Sequence, residues 1–170
     1  NEALISLVGL ESLTEVGGSF HIRFNKLLES LDALAALQAI GEDFYLESNI
    51  AILNLNGLEN LRSIGNDLKI SDMNGLVSLE ALSGLDSLNG DLILEFLDAL
   101  PSLHGLENLK SIDKLLELRG VDNIVNMNGL EGLTKVGALV LYWNDRLDNL
   151  SGIDSLAGEI QAISIFYNLM

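Results

Sequence analysis

Apolar residues recur along this chain with a period of 24 residues. Within each period, apolar residues occupy positions 1 and 3 with a variable residue between them, and further apolar residues occupy positions 9, 12, 15 and 18. The repeats span 20–43, 44–67, 68–91, 92–115, 116–138 and 139–162, with partial repeats at 1–19 and 163–170. No linker or change of composition divides them. We therefore predict a single repeat domain over residues 1–170, and, since it starts and stops within a repeat, a fragment of a longer solenoid.

The two spacings within a repeat predict different local structures. Alternation at positions 1 and 3 is typical of a β-strand. A strict spacing of three residues does not suit a long helix of 3.6 residues per turn, but it suits short turns and 3₁₀ segments. One repeat cannot bury its own leucines, so neighbouring repeats must supply the core. These patterns predict a mainly β fold: a right-handed parallel β-solenoid, similar to leucine-rich repeats, of about seven coils stacked about 4.8 Å apart.

Asparagine marks position 6 near both ends of the chain. An asparagine that recurs at an inward turn can link its amide to the backbone of adjacent coils. The column contains apolar residues in its centre, which supports an inward position and predicts an interrupted ladder. Its members are Asn1, Asn25, Asn49, Met73, Leu97, Val121, Asn144 and Asn168. Glycine at position 22, as in Gly41 and Gly65, is expected to give a corner its backbone freedom.

Three segments of the chain resemble the receptor L-domain family, a variety of leucine-rich-repeat solenoid. They are GLESLTEVGGSFHIRFN at 9–25, GLENLRSIGNDLKIS at 57–71 and GLENLKSI at 105–112. The resemblance extends over nearly the whole chain and is most like the cysteine-free forms in bacterial or lower-eukaryote surface proteins. It implies a non-catalytic recognition or adhesion module, secreted or at the cell surface. The chain departs from animal members because it lacks cysteine and their disulfide-bonded ends.

Composition excludes several classes of function. The net charge is −16, with Lys+Arg 9 against Asp+Glu 25, which argues against nucleic acids and anionic membranes as partners. No apolar run reaches the roughly 18 residues of a membrane helix. The two histidines, His21 and His104, fall on different faces and cannot share a metal. Phosphate-binding loops and nucleophile motifs are absent from the sequence. We predict neither enzymatic activity nor a cofactor.

Aromatic residues concentrate at the outward positions of the predicted main strand. Seven of the nine aromatic residues occupy positions 2, 4 and 5, although three columns in 24 make up only an eighth of the repeat. Exposed aromatic side chains on a rigid sheet anchor protein interfaces and stack on sugars. We predict that this face binds a protein partner, with Arg23, Arg119 and Glu95 giving polar specificity. The predicted anchors are Tyr142, Trp143, Phe166, Tyr167, Phe96, Phe24 and Tyr45.

Other interpretations of the same face stay open at this point. A downstream segment or cap would also account for the aromatic residues at 142–143 and 166–167. A glycan ligand would use Trp143 and Tyr142 as stacking platforms. A third interpretation is a structural spacer or stalk, whose ends associate with further repeats.

Two more columns suggest other surfaces. Acidic residues recur at positions 16 and 24, which we interpret as a solvated edge that opposes aggregation. The alternative is a calcium site along Asp43, Asp67 and Asp91, because carboxylates suit that ion. Position 10 forms an apolar stripe, either packed under a turn or available for side-to-side self-association. Its apolar members are Ile5, Leu53, Val77, Pro101 and Val125.

Overall fold

The computed structural model describes residues 3–168, so Asn1 of the asparagine column and the last two residues of the final partial repeat lie outside it. The described part of the chain contains short strands and two 3₁₀ segments, with no α-helix. In chain order these are β1 Glu15–Val16, β2 Phe20–Arg23, η1 Asp32–Leu34, β3 Ala39–Ile40, β4 Phe44–Glu47, β5 Ser63–Ile64, β6 Leu68–Ser71, η2 Glu80–Leu82, β7 Ser87–Leu88, β8 Leu92–Glu95, β9 Ser111–Arg119, β10 Lys135–Tyr142 and β11 Ala162–Phe166.

The strands form two parallel rows. The long row contains β2, β4, β6, β8, the second halves of β9 and β10, and β11. The short row contains β1, β3, β5, β7 and the first halves of β9 and β10. Each residue pairs with the residue at the same repeat position in the next coil, as Phe20 pairs with Phe44 and Phe44 with Leu68.

This register confirms the predicted mainly β parallel solenoid with short 3₁₀ segments. The expected number of coils was too high: the structure has about six turns rather than about seven. The reason is geometric, because the seven strands of the long row bound six complete turns and the partial repeats add no full one.

The core is one continuous stack of the apolar columns. In the first complete coil, Leu28, Leu31, Leu34 and Leu37 are fully buried; the next four coils repeat this pattern, and in the last coil the corresponding side chains are only partly buried. Burial of each such side chain contributes about 1.5–3 kcal/mol relative to exposure. The inward side chains Ile163 and Ile165 of β11 are about half exposed, at 57% and 49%, because β11 pairs only with β10.

The corner at positions 14–16 takes one of two forms. Where position 14 is glycine, its N–H donates to the acidic side chain two residues later, as from Gly57 to Glu59 at 2.9 Å and from Gly105 to Glu107 at 2.8 Å. Where position 14 is alanine, as at Ala33, the corner is a 3₁₀ segment instead. The acidic residues at position 16 therefore satisfy backbone donors, a structural role beyond the solvated edge expected from the sequence.

The asparagine ladder forms at both ends of the solenoid. The Asn49 side chain is fully buried, accepts from the backbone N–H of Asn25 at 3.1 Å, and donates to the carbonyl of Ile22 at 2.7 Å. Asn144 repeats these contacts, accepting from the N–H of Val121 at 3.0 Å. In the apolar centre the backbone finds another partner, since the N–H of Leu97 donates to the carbonyl of Gly120. The predicted interrupted ladder is confirmed.

Repeat 116–138 is one residue shorter than the others, and the missing residue lies at a corner. The pairing of β9 with β10 shifts register between Val136 and Ala138, next to Gly137. The glycines at position 22 are needed because the coils approach each other closely there, and not because of an unusual backbone angle. A Cβ on Gly65 would overlap the carbonyl of Gly41. The expectation that these glycines supply backbone freedom is therefore replaced by a need for close approach between coils.

We predict that Gly105→Ala strongly destabilises the solenoid. Gly105 has a φ of 109°, and its added Cβ would overlap the backbone carbonyl of Leu79 in the preceding coil. The backbone conformation alone should lower the free energy of unfolding by about 1–3 kcal/mol, and the overlap should add to this. Urea denaturation followed by circular dichroism measures the loss.

Gly9→Ala is the matched control. Gly9 occupies the same repeat position with a φ of 110°, but nothing lies within 4 Å of its added Cβ. It should therefore show the conformational part of the loss without the overlap. Equal losses for the two variants would show that contact between coils does not restrict this column.

Candidate binding face

The outward face of the long row consists of the side chains at positions 2 and 4 and of the residue at position 5, which follows the strand. Position 5 adopts a left-handed backbone conformation in every coil from Phe24 to Tyr167. Its φ lies between 52° and 60° at Phe24, Ser48, Asp72, Phe96, Gly120, Trp143 and Tyr167. This conformation costs a residue other than glycine about 1–2 kcal/mol. Four strained positions nevertheless hold aromatic residues, and strained backbone clusters at functional sites.

A row of alternating charges crosses this face. Arg23 Nε lies 2.9 Å from Glu47 Oε2, and Lys69 Nζ lies 2.7 Å from Glu95 Oε2 and 3.9 Å from Glu47 Oε1. Arg119 Nη1 ends the row at 3.7 Å from Glu95 Oε1. Pairs of this kind each contribute at most about 1 kcal/mol, but together they fix the side chains in one arrangement.

Charge at positions 2 and 4 of the face is balanced although the molecule is strongly acidic. Positions 2 and 4 carry three cations and three carboxylates, which cancel, whereas the whole chain has a net charge of −16. The charged members are Arg23, Lys69, Arg119, Glu47, Glu95 and Glu117. Asp72 at position 5 is the one uncompensated charge of the face, so a partner approaches it with less of the repulsion that the remaining acidic surface exerts on anions.

The N-terminal part of the face is held by Tyr45. Its ring stacks on His21, with ring centroids 4.6 Å apart, and the Arg23 guanidinium lies 4.8 Å above it. The hydroxyl donates to Asp67 at 3.3 Å. Burial, followed by the charges of Asp43 and Asp67 and this hydrogen bond, raises the pKa of Tyr45 to about 12. Tyr45 is thus a fixed, protonated donor at neutral pH.

Five rings collect at the C-terminal part of the face. We call this group, together with Arg119, the aromatic patch; its rings are Phe96, Tyr142, Trp143, Phe166 and Tyr167. The Tyr142 ring is central, with centroids 4.2 Å from Trp143, 4.6 Å from Phe166 and 5.7 Å from Tyr167. Trp143, Phe166 and Tyr167 stay 42%, 44% and 62% exposed. The patch therefore combines a rigid arrangement with accessible apolar surface.

Arg119 joins the patch to the charged row. Its guanidinium carbon lies 5.1 Å from the Phe96 ring centroid, 5.3 Å from that of Tyr142 and 5.0 Å from that of Trp143. Gly120, the next residue, has no side chain, and the Phe96 ring packs over it, 2.8 Å from where a Cβ would be. A side chain at Gly120, which lies between Phe96 and Trp143 in column 5, would displace the Phe96 ring from this position.

Burial opposes the ionisation of one carboxylate of the face, that of Glu117. It pairs in register with Ile93 on one side and Val140 on the other. Burial first, and then the negative charge of Glu95, raises the pKa of Glu117 above its ordinary value. This carboxylate is therefore kept partly protonated to a higher pH than an exposed glutamate.

The aspartate column at position 24 is engaged in hydrogen bonds between coils. Asp67 Oδ1 accepts from the backbone N–H of Asp91 at 2.8 Å, and Asp91 Oδ1 accepts from that of Leu115 at 3.0 Å. Although burial opposes it, the amide of Asn66 and the N–H of Asp67 hold the pKa of Asp43 below its ordinary value. Within residues 3–168 no three acidic, histidine or cysteine side chains are grouped to hold a metal ion. The geometry thus favours a structural role over the calcium alternative.

The position-10 stripe faces solvent. Leu53, Val77 and Val125 are exposed, and the backbone N–H of Val77 donates to the carbonyl of Leu53, so successive members stack directly. Of its two interpretations, packing under a turn is therefore excluded, and self-association stays a hypothesis. Nothing in the 3–168 range forms a helix that is long and apolar enough to cross a membrane.

The structure brings together most of the predicted anchors but not all. Phe96 and the rings of the last two coils share one patch, with Arg119 and Glu95 beside them. Tyr45 and Arg23 form a separate group, and Phe24 lies three coils, or about 14 Å, from Phe96. Sequence reasoning missed Lys69, which links the charged row, and Gly120, on which the Phe96 ring packs. Ser, Asp and Gly among the residues of column 5 were a signal for its left-handed conformation.

Comparisons with protein-family models, with curated proteins and with solved structures gave no match to this chain. The resemblance to receptor L domains therefore rests on the repeat pattern alone.

We predict that glycine stabilises position 5 where alanine does not. At Ser48, φ 55°, Ser48→Gly should be more stable than Ser48→Ala by about 1 kcal/mol, because only alanine bears the left-handed penalty. At Ser87 in strand β7 the order should reverse, since glycine there loses more conformational freedom on folding. Thermal denaturation of the four variants measures both differences. The same order at both sites would contradict the left-handed assignment.

We predict that Glu117→Gln stabilises the protein in a pH-dependent way. Because the pKa of Glu117 is raised on folding, the free energy of unfolding falls as pH rises from the ordinary glutamate value through the raised one. The variant should therefore melt at a higher temperature than wild type at pH 7, and the gain should vanish below about pH 4. Calorimetry at the two pH values measures this.

Glu15→Gln, at an exposed residue of the short row, removes the same formal charge and is the control for net charge. A gain at pH 7 that is equal in both variants would attribute the effect to the overall charge and not to the burial of Glu117.

Proposed function

We propose that this domain is a non-catalytic recognition module that binds a protein partner through the outward face of its long row of strands. The observation that carries the proposal is the aromatic patch: five rings, three of them around Arg119, with Trp143, Tyr167 and Phe96 on left-handed backbone. Glycine at these positions would avoid the strain. Binding is the benefit that offsets this strain.

The composition of the face supports a protein ligand. Aromatic residues and arginine are the classes that dominate the binding energy of protein interfaces, and they cluster near the centre with polar groups around them. Here the patch adjoins the Arg23–Glu47–Lys69–Glu95 row, whose charges cancel. The rigidity of both parts lowers the entropic cost of binding.

The ring geometry favours protein over glycan. A sugar stacks on an open, flat ring face, but Trp143 is already stacked on Tyr142, with planes 22° apart, and carries Arg119 beside it. The Phe166 and Tyr167 rings meet at 80°, which creates an uneven surface of edges and clefts. Such relief suits interdigitating side chains.

The receptor L-domain resemblance also indicates where the protein acts. By that resemblance the module belongs to a secreted or cell-surface protein and serves in adhesion or ligand recognition. The zero cysteine count is compatible with either side of a membrane, so the location depends on the resemblance.

A binding assay with matched variants tests the proposal. Immobilised wild-type domain captures its partner from the extracellular proteins of the source organism, and the purified partner is then titrated by calorimetry. Trp143→Ala with Tyr142→Ala should lower the affinity at least about thirtyfold, the loss expected for hot-spot residues. Circular dichroism confirms that the variants fold.

Leu53→Ala is the control, because Leu53 is 54% exposed on the position-10 stripe and away from this face. Its affinity should equal that of wild type. An unchanged affinity in the aromatic double variant, or a loss confined to Leu53→Ala, would place the interface elsewhere.

A further inference from the structure

Arg119 differs from the other arginine at repeat position 4. Arg23 Nε lies 2.9 Å from a carboxylate oxygen of Glu47. Arg119 approaches Glu95 only to 3.7 Å, because Lys69 holds the other oxygen of that carboxylate at 2.7 Å. Within residues 3–168 the Nε atoms of Arg23 and Arg119 are both covered without a hydrogen-bond acceptor, but only Arg119 also lacks a close carboxylate oxygen. A covered donor without an acceptor is rare and costly.

The surroundings of Arg119 are apolar. Three rings, those of Phe96, Tyr142 and Trp143, lie within 5.3 Å of its guanidinium carbon, whereas a third of the side chain, 33%, stays exposed. An ionic hydrogen bond formed among apolar rings is screened less by solvent than one on an open surface. Arg119 is therefore a cation that is held in place, incompletely paired and reachable from outside.

We propose that Arg119 receives a carboxylate from the partner protein, an Asp or Glu side chain that is flanked by apolar residues. This inference rests on the proposed function and names the chemistry of its central contact. The planar guanidinium matches a carboxylate with two parallel hydrogen bonds. The flanking apolar residues of the partner would pack on Trp143 and Tyr142. Glu95 and Glu117 stand close by and oppose a group with more than one negative charge, such as a phosphate.

Two blocked peptides test the chemistry of the ligand. The probes are acetyl-Phe-Glu-Phe-amide and acetyl-Phe-Gln-Phe-amide, which differ only in the carboxylate. Trp143 is the only tryptophan of the chain, so its fluorescence reports binding at the patch without labelling. The glutamate peptide should bind about tenfold or more tightly than the glutamine peptide, and this preference should shrink as salt is added.

Variants then locate the effect. Arg119→Gln should remove the preference for the glutamate peptide, and Arg119→Lys should keep part of it because lysine retains the charge but not the planar fork. Arg62→Gln is the control, since Arg62 lies outside the binding face with its Nη1 donating to the carbonyl of Glu59 at 2.7 Å, and it should behave as wild type. Thermal melts confirm that all three variants fold.

Each outcome decides between the two proposals. Equal binding of both peptides would overturn the carboxylate assignment and leave the aromatic patch as a binding surface. No change in Trp143 fluorescence with either peptide at millimolar concentration would also overturn it, while the affinity assay with the purified partner would still decide the proposed function. A preference that survives in Arg119→Gln would assign the carboxylate to another cation and overturn the proposal.

Discussion

Contact between successive coils is the interaction on which this molecule depends. A single coil has only a short strand in each row and a few leucines, and it cannot shield those leucines from water. Stacked in register, Leu31, Leu55 and Leu79 of successive coils bury one another completely. The backbone follows the same rule, because strands pair with the coil before and the coil after. Side chains such as Asn49 and Asp67 extend it by accepting backbone hydrogens from the adjacent coil.

Strict stacking has a consequence at the surface. Whatever occupies one repeat position is placed about 4.8 Å from its counterpart in the next coil, so columns of side chains become continuous surfaces. Opposite charges at positions 2 and 4 form a row, and aromatic rings at positions 4 and 5 form a patch. The left-handed conformation at position 5 turns the chain from the outward face toward the core. As a result, Trp143 stays at the surface and the next residue, Asn144, points inward.

The acidic character of the protein has two separate origins in the structure. Acids at positions 16 and 24, such as Glu107 and Asp91, accept backbone hydrogen bonds and belong to the scaffold. Acids on the outward face, such as Glu47 and Glu95, are matched by cations. The negative charge therefore accumulates away from the proposed binding face, and Arg119 is exceptional in being both enclosed by rings and loosely paired.

The sequence alone determined the architecture, because in a solenoid the contacts between coils repeat the period of the chain. The leucine columns, the asparagine ladder and the outward columns that hold seven of the nine aromatic residues could all be predicted from spacing. Tertiary structure decided what depends on backbone angles and on distances across coils. The left-handed angle of position 5, the overlap that forbids a side chain on Gly105, and the meeting of Arg119 with Phe96 and Trp143 are of this kind. A period specifies which residues are neighbours, but only the folded chain specifies how close their atoms come and which of them stay unpaired.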